Sequence, residues 1–234
     1  MSANPDVLRA SELISSVVDA PPHAPTKIVG EKKGWDPEAF AREQIRTLVR
    51  RVFFANEPQP VRQVVFSASG TDQSVVSICH QVGEALASET PAPVAIVIRE
   101  HRERAEICFP RNDGVAPIKG DAIRLASNLW RLAEFGPCGG EQSGMGRYWA
   151  SRLVELRSEF EYAVIQGPVA GASSEAALLA ELTDGIVLVL GAGSTRKASA
   201  RKVKECLQVG SSRILGTVLS ERVFPIPDRI YRRL

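Results

Sequence analysis

Residues 63–78 read QVVFSASGTDQSVVSI, an apolar run that enters a turn of small and polar residues. The turn enters an amphipathic pattern that continues through Val82, Ala85 and Leu86. Nucleotide-binding α/β proteins place a phosphate-binding loop at such a passage, because the backbone N–H groups of the first helical turn can bind an anion. We therefore predict a strand, a phosphate-loop position and a helix across this stretch.

The chemistry of a working phosphate loop is missing at this position. Such a loop needs glycines, a lysine for the β- and γ-phosphates, and a serine or threonine hydroxyl for Mg²⁺. The turn has one glycine, and no lysine occurs from Gln63 to Thr90. We predict a vestigial nucleotide loop formed by Gly70, Thr71, Asp72, Gln73 and Ser74.

Composition and charge are those of an ordinary globular protein. The 234 residues are 44% hydrophobic and 24% charged, and a formal net charge of +2 gives no reason to expect a nucleic-acid partner. No apolar run reaches the roughly 20 residues of a membrane span, and the amino terminus lacks a signal-peptide pattern. We expect a cytoplasmic protein with reduced thiols in or near the core, because no zinc spacing relates Cys79, Cys108, Cys138 and Cys206.

The chain is predicted to have an N-terminal arm or linker, residues 1–34, and a single α/β domain, residues 35–234. The arm contains a predicted helix and a proline-rich extended segment, and it is either a docking peptide or a partly disordered tail. The next helix is predicted from Pro37 to about Asn56, with Asp36 as its N-cap. Its arginines form either a solvated face or a docking surface for a neighbouring subunit, for which the candidates are Arg42, Arg46 and Arg50.

Short apolar runs alternate with helical patterns along the rest of the chain. After the first strand, we predict strands at 92–98, 128–132, 162–165, 186–190 and 214–219. Such runs are typical of parallel strands buried on both faces, and right-handed crossovers then give a doubly wound sheet. Any ligand crevice is expected at the carboxyl ends of the strands. The charged run 99–104 is interpreted as solvated surface, and the glycine-rich segment 136–146 as a flexible connection.

The order of elements resembles the bacterial tyrosine autokinases of polysaccharide biosynthesis, which belong with the MinD/ParA-like P-loop ATPases. The resemblance spans about residues 37 to 220 and rests on FAREQIRTL at 40–48, FEYAVIQGP at 160–168, LLAELTDGIVLV at 178–189 and ILGTVL at 214–219. It implies a P-loop NTPase-like fold, MgATP binding and phosphorylation of tyrosines in the C-terminal tail. It also implies ring assembly through an arginine-containing helix and a membrane-embedded co-polymerase as partner.

The residues that carry this chemistry in the family are replaced at the matching positions. The P-loop lysine and the hydroxyl residue after it fall within Ser74–Val76, in either register. The second family aspartate falls near Ile98 or Arg99, the third is replaced by Gln166, and the tail has a single tyrosine, Tyr231. Because catalysis of phosphoryl transfer is largely electrostatic, losing these charged groups together is hard to reconcile with activity.

We therefore predict a degenerate member of this fold: a non-catalytic pseudo-kinase that needs no cofactor and has no metal site. Its predicted role is that of an accessory or regulatory protein in exopolysaccharide or capsule biosynthesis. The expected partner is a membrane polysaccharide co-polymerase or a homologous kinase, through which it reaches the inner membrane peripherally. A homo-oligomer is a further expectation from the resemblance.

Two other hypotheses stay open. In the first, the protein is a tyrosine autokinase that binds ATP and Mg²⁺ through non-standard residues, with Tyr231 as phosphoacceptor. Asp72 would then meet the metal, Gln166 would position a water, and Arg196–Lys197 would meet an anion. In the second, a ParA-like positioning protein places its last residues, 226–234, on an anionic membrane surface.

Overall fold

The computed structural model describes residues 36–55, 59–70, 74–99, 122–134, 145–210 and 212–221. The helices in these ranges are α1 (Pro37–Phe53), α2 (Ser74–Glu89), α3 (Met145–Glu159), α4 (Ser174–Leu182) and α5 (Lys197–Val209). The strands are β1 (Gln63–Ala68), β2 (Val94–Arg99), β3 (Ile123–Ala126), β4 (Leu129–Glu134), β5 (Tyr162–Gln166), β6 (Gly185–Gly191) and β7 (Ile214–Ser220). The predicted arm, 1–34, lies outside the described residues, and the division into arm and domain stays a prediction.

A single sheet joins the seven described strands in the order β3-β4-β2-β5-β1-β6-β7. Every neighbouring pair is parallel except β3 and β4, which form an antiparallel hairpin at one edge. The predicted α/β fold with a mostly parallel, doubly wound sheet is confirmed. Because β1 lies between β5 and β6, the chain that leaves β1 emerges near the middle of the carboxyl edge of the sheet.

Helices cover both faces of this sheet. On β1, Val64 and Phe66 pack in the cluster that includes α1 and α2, whereas Val65 packs in the cluster that includes α3, α4 and α5. Successive strand residues point to opposite faces, so a strand covered on both sides is mostly apolar, and the two buried polar side chains of β1, Gln63 and Ser67, are hydrogen-bonded. Each such side chain contributes about 1.5–3 kcal/mol when it is removed from water. The two clusters together fix the position of the strand ends, where the candidate site lies.

The predicted elements are present with shifted ends. Helix α1 begins after the predicted cap Asp36, whose side chain accepts from two backbone N–H groups of the first turn, but it ends at Phe53 rather than near Asn56. Helix α3 already begins at Met145, so the end of the segment interpreted as a flexible connection is helical. Strand β3 was not expected, because its four residues are all exposed and lack the apolar burial that marks the other strands.

None of the helices in the ranges given above combines the length and the apolar character that crossing a membrane requires.

Candidate functional site

The candidate site lies at the carboxyl edge of the sheet, where β1, β2, β5 and β6 end side by side. Strand β2 ends at Arg99 and its neighbour β5 ends at Gln166. The resemblance expects one carboxylate near Ile98 or Arg99 and another at Gln166. The structure therefore brings the two replaced family positions together at the carboxyl edge of the sheet.

Gln166 joins the ends of β5 and β2. Its side-chain Oε1 accepts a hydrogen bond from the backbone N–H of Arg99 at 3.0 Å. This contact lies just beyond the last paired residues of the two strands, Val97 and Ile165. The side chain thereby extends the hydrogen bonding between the strands by one more bond, so Gln166 has a structural role at the position of a family carboxylate.

Arg99 is held by residues of α3 and α4. Its Nη1 lies 2.9 Å from Oε1 of Glu175, and the two side chains are 21% and 12% exposed. Trp149 donates its Nε1–H to the same carboxylate oxygen at 2.9 Å, and the guanidinium lies 6.0 Å from the Trp149 ring centroid. The interpretation of Arg99 as solvated surface is wrong, because its side chain is mostly buried and ion-paired to a residue of α4. The rest of that charged run, 100–104, lies outside the described residues. We call Arg99, Trp149, Gln166 and Glu175 the strand-end network.

The strand-end network does not fit a magnesium–nucleotide site. Mg²⁺ in nucleotide sites is held by carboxylate oxygens, phosphates and water. At the second family position, Ile98 is buried in the core at 4% exposure and Arg99 is itself a cation. At the third, Gln166 offers one neutral oxygen that is already bonded. In the part of the chain that the structure describes, no three His, Cys, Asp or Glu side chains are grouped to hold a metal ion.

A second polar contact links the chain after β1 to the turn after β6. The hydroxyls of Ser69 and Thr195 lie 3.3 Å apart, and the backbone N–H of Gly191 donates to Thr195 Oγ1 at 3.0 Å. The N–H of Ser69 donates to the carbonyl of Val189 at 3.1 Å. The groups that Ser69 and Thr195 contribute to this side of the crevice are therefore uncharged hydroxyls.

The predicted vestigial loop is only partly described. A Cβ added at Gly70 would meet nothing within 4 Å, so no neighbour demands a glycine there. Ser74 is the first residue of α2. Thr71, Asp72 and Gln73 lie outside the described residues, as does Tyr231, and their predicted roles stay predictions.

Comparison with known proteins bears on the identity of this site and its scaffold. No protein-family profile matches the sequence. The tyrosine-protein kinase CpsD of Streptococcus agalactiae is 31% identical over 74 residues, which is 32% of this chain and 32% of CpsD. The match thus spans about a third of that relative. In structure, the chimerical protein CapA2B2 has a TM-score of 0.62 at 20% identity, over 76% of this chain and 83% of that chain.

The chain is related to the bacterial tyrosine kinases. The kinase domain of Escherichia coli tyrosine kinase ETK has a TM-score of 0.62 at 12% identity, over 86% of this chain and 88% of that chain. The cell division protein MinD of Aquifex aeolicus has a TM-score of 0.51 at 14% identity, over 74% and 73%. At these identities the structural likeness shows the fold alone, which is the predicted P-loop NTPase-like α/β fold.

In this kinase relative the three candidate docking arginines differ in their surroundings. Arg50 Nη2 lies 2.8 Å from Glu89 Oε1 at the end of α2, and this contact raises the pKa of Arg50 above its ordinary value. Arg42 and Arg46 form only longer ion pairs, of 3.7–3.8 Å, with residues of α1 and its cap. Exposed pairs of this kind contribute about 0–1 kcal/mol. Arg42 and Arg46 are therefore the more available members of the proposed docking surface.

Sequence reasoning missed Glu175 and Trp149 as members of the site. Glu175 stands in the first turn of α4, where an acidic residue is favoured by the helix dipole whatever its partner. Trp149 is 1% exposed and belongs to the apolar face of α3, which is signal enough for a core residue. Only the packing of α3, α4 and β2 in three dimensions shows that Arg99 and Trp149 share the carboxylate of Glu175.

The described cysteines take no part in this site. Cys79 is fully buried in α2, and burial raises the pKa of its thiol. It is therefore a thiol rather than a thiolate at neutral pH. Cys206 is exposed on α5, which corrects the expectation that all four cysteines lie in or near the core. Cys108 and Cys138 lie outside the described residues.

Proposed function

We propose that this kinase relative is a non-catalytic pseudo-kinase, an accessory or regulatory protein of exopolysaccharide or capsule biosynthesis. In this proposal it docks on a membrane polysaccharide co-polymerase or on an active homologous kinase. Arg42 and Arg46 of the exposed face of α1 supply the contact, and a homo-oligomer forms through the same helix. Neither ATP nor Mg²⁺ is required for the fold or for docking.

One observation carries the proposal: where the resemblance implies a metal-binding carboxylate, near Ile98 or Arg99, the chain has a buried apolar residue followed by a guanidinium that is ion-paired to Glu175. A metal ligand and a cation have opposite charge, so this is not a conservative replacement. The neighbouring carboxylate position holds a neutral amide that bonds two strands together. Both groups are engaged with the protein itself, which supports a fold retained for binding rather than for phosphoryl transfer.

The alternative, a tyrosine autokinase with non-standard site residues, is favoured by Glu175. This carboxylate does lie at the carboxyl edge of the sheet, although it comes from α4 and not from a strand end. Its oxygen Oε1 is shared between Arg99 and Trp149. To meet Mg²⁺ it would have to leave both partners, so we prefer the pseudo-kinase.

Thermal unfolding with and without millimolar MgATP or MgADP tests the choice. A ligand at a hundred times its dissociation constant adds about 2.7 kcal/mol, or about 5–11 °C in Tm for a domain of this size. We expect a shift below about 1 °C, because a guanidinium and a neutral amide stand where the resemblance implies the carboxylates that hold MgATP. An active bacterial tyrosine kinase domain, run in parallel, shows that the assay responds. A magnesium-dependent shift of several degrees would refute the pseudo-kinase.

Substitution of Arg99 tests the strand-end network directly. Arg99→Gln is expected to lower the free energy of unfolding by about 1–3 kcal/mol, because Glu175 loses its charged partner at a partly buried position. Arg46→Gln removes one equal charge from a more exposed pair and should cost less than about 0.5 kcal/mol. Urea unfolding of both variants gives the two values. Equal stability of the two variants would mean that the guanidinium of Arg99 has no structural task.

A further inference from the structure

A polar cavity lies at the opposite end of the sheet from the strand-end network, where the strands begin. Its volume is about 500 Å³, within the range of small-molecule sites. It is lined by Gln59, Pro60, Arg62, Arg157, Thr183, Asp184 and Arg213. We call it the arginine cavity.

Three arginines reach the arginine cavity from three separate parts of the fold. Arg62 immediately precedes β1, Arg157 is in the last turn of α3, and Arg213 immediately precedes β7. Among the described residues, the lining thus has three guanidinium groups and the carboxylate of Asp184, and the carboxylate of Glu161 lies beside it against Arg62. Guanidinium groups bind phosphate in bidentate fashion, so a lining of this composition selects an oxyanion.

The carboxylate of Asp184 is already committed to the protein. Its Oδ2 accepts the backbone N–H groups of Arg62 and Gln63, both at 2.7 Å. Its Oδ1 lies 3.0 Å from Nη2 of Arg157. These contacts hold Arg157 and the backbone before β1 in place beside the cavity. Because two N–H groups and a guanidinium offset the charge of Asp184, this carboxylate repels an incoming anion only weakly.

The ion pair between Arg62 and Glu161 can be exchanged for a pair with a ligand at little cost. Arg62 Nη2 lies 3.0 Å from Oε1 of Glu161, and the two side chains are 42% and 39% exposed. Pairs as exposed as this contribute little to stability, because water and salt screen them. A doubly charged oxyanion in the cavity would compete well with Glu161 for Arg62.

We propose that the arginine cavity binds a small molecule through a phosphate or diphosphate group. The arginines on either side of the cavity hold the phosphate oxygens, and Gln59 and Thr183 supply polar contacts to the rest of the molecule. This site is separate from the crevice of the proposed pseudo-kinase and does not depend on that function.

Binding of inorganic phosphate, pyrophosphate and ribose 5-phosphate to the whole chain, measured by calorimetry at low ionic strength, tests the proposal. Saturable binding is expected, weakened about tenfold or more by Arg62→Gln or Arg213→Gln. Arg201→Gln, an equal charge change on the exposed face of α5, should leave affinity unchanged. Tighter binding of ribose 5-phosphate than of inorganic phosphate identifies an organic ligand, and the reverse identifies the free ion.

A gain-of-affinity variant guards against misfolding of the arginine variants. Glu161→Gln removes the carboxylate that competes for Arg62 and should tighten phosphate binding several-fold. Absence of binding to all three probes overturns the proposal, as does equal affinity in Arg62→Gln, Arg213→Gln and Arg201→Gln. Any effect of ATP that persists without magnesium and disappears in Arg62→Gln belongs to this cavity and leaves the pseudo-kinase untouched.

Discussion

Gly185→Ala is expected to lower the free energy of unfolding by about 2–6 kcal/mol, the sum of a backbone term and a packing term of about 1–3 kcal/mol each. Gly185 opens β6 with a φ of 151°, a conformation that side chains with a Cβ rarely adopt. The added Cβ would also lie 2.6 Å from the carbonyl oxygen of Arg213. That oxygen accepts the N–H of Ile186 at 2.8 Å, so relief of the overlap breaks the first bond between β6 and β7.

Gly216→Ala is the matched control for this substitution. Gly216 lies in β7 beside Val187 of β6, and a Cβ added there meets nothing within 4 Å. Its effect should stay within about 1 kcal/mol, because a regular strand position accepts alanine. Urea unfolding of both variants measures the difference. A loss of similar size in both would show that the φ of Gly185 and its contact with Arg213 are not what requires glycine.

Strands buried on both faces could be predicted from the sequence, and the edge hairpin could not. The run of β6 has no polar side chain and β1 has the continuous apolar run 64–66, a pattern typical of parallel strands between two helical layers. Strand β3 is exposed throughout, and its pairing with β4 depends on the short turn between them rather than on an apolar run. The pattern of apolar residues therefore does not predict β3.

The location of the candidate site could be predicted from the sequence, but the residues that contact one another there could not. Strand ends that follow apolar runs meet at one edge of a parallel sheet, so the sequence predicts a crevice at that edge but not that the strands ending at Arg99 and Gln166 are neighbours. The partner of Arg99 could not be named, because Glu175 comes from α4 and the two meet only through tertiary packing. A charged run at a strand end is usually solvated, and applying that general rule led to the wrong interpretation of Arg99.

The strand-end network bears on whether the carboxyl edge of the sheet needs a bound nucleotide to hold it together. A chain that merely lost a nucleotide site would leave unpaired polar groups at the strand ends, each at a cost of about 1–3 kcal/mol. Here Arg99 is ion-paired to Glu175, and Glu175 accepts the N–H of Trp149, which links β2, α3 and α4. These contacts between β2, α3 and α4 need no bound nucleotide, which supports the proposed pseudo-kinase.

Trp149→Ala is expected to lower the free energy of unfolding by about 3–5 kcal/mol, as is usual for a fully buried tryptophan. Trp149 is 1% exposed, and its ring packs among the side chains of α3, α4 and the sheet while its N–H holds Glu175. Val154→Ala, at a position of α3 that is 70% exposed, should change stability by less than about 0.5 kcal/mol. Urea unfolding measures both.

Two further variants separate packing from the strand-end network. Trp149→Phe keeps most of the ring but removes the N–H donor, and we expect a loss of about 1–3 kcal/mol from the weakened hold on Glu175. Because Trp149 and Arg99 share one carboxylate oxygen, the double variant Trp149→Phe with Arg99→Gln should depart from additivity by about 0.5–3 kcal/mol. Strict additivity would mean that the two residues act separately, and the strand-end network would then be a set of contacts and not a unit.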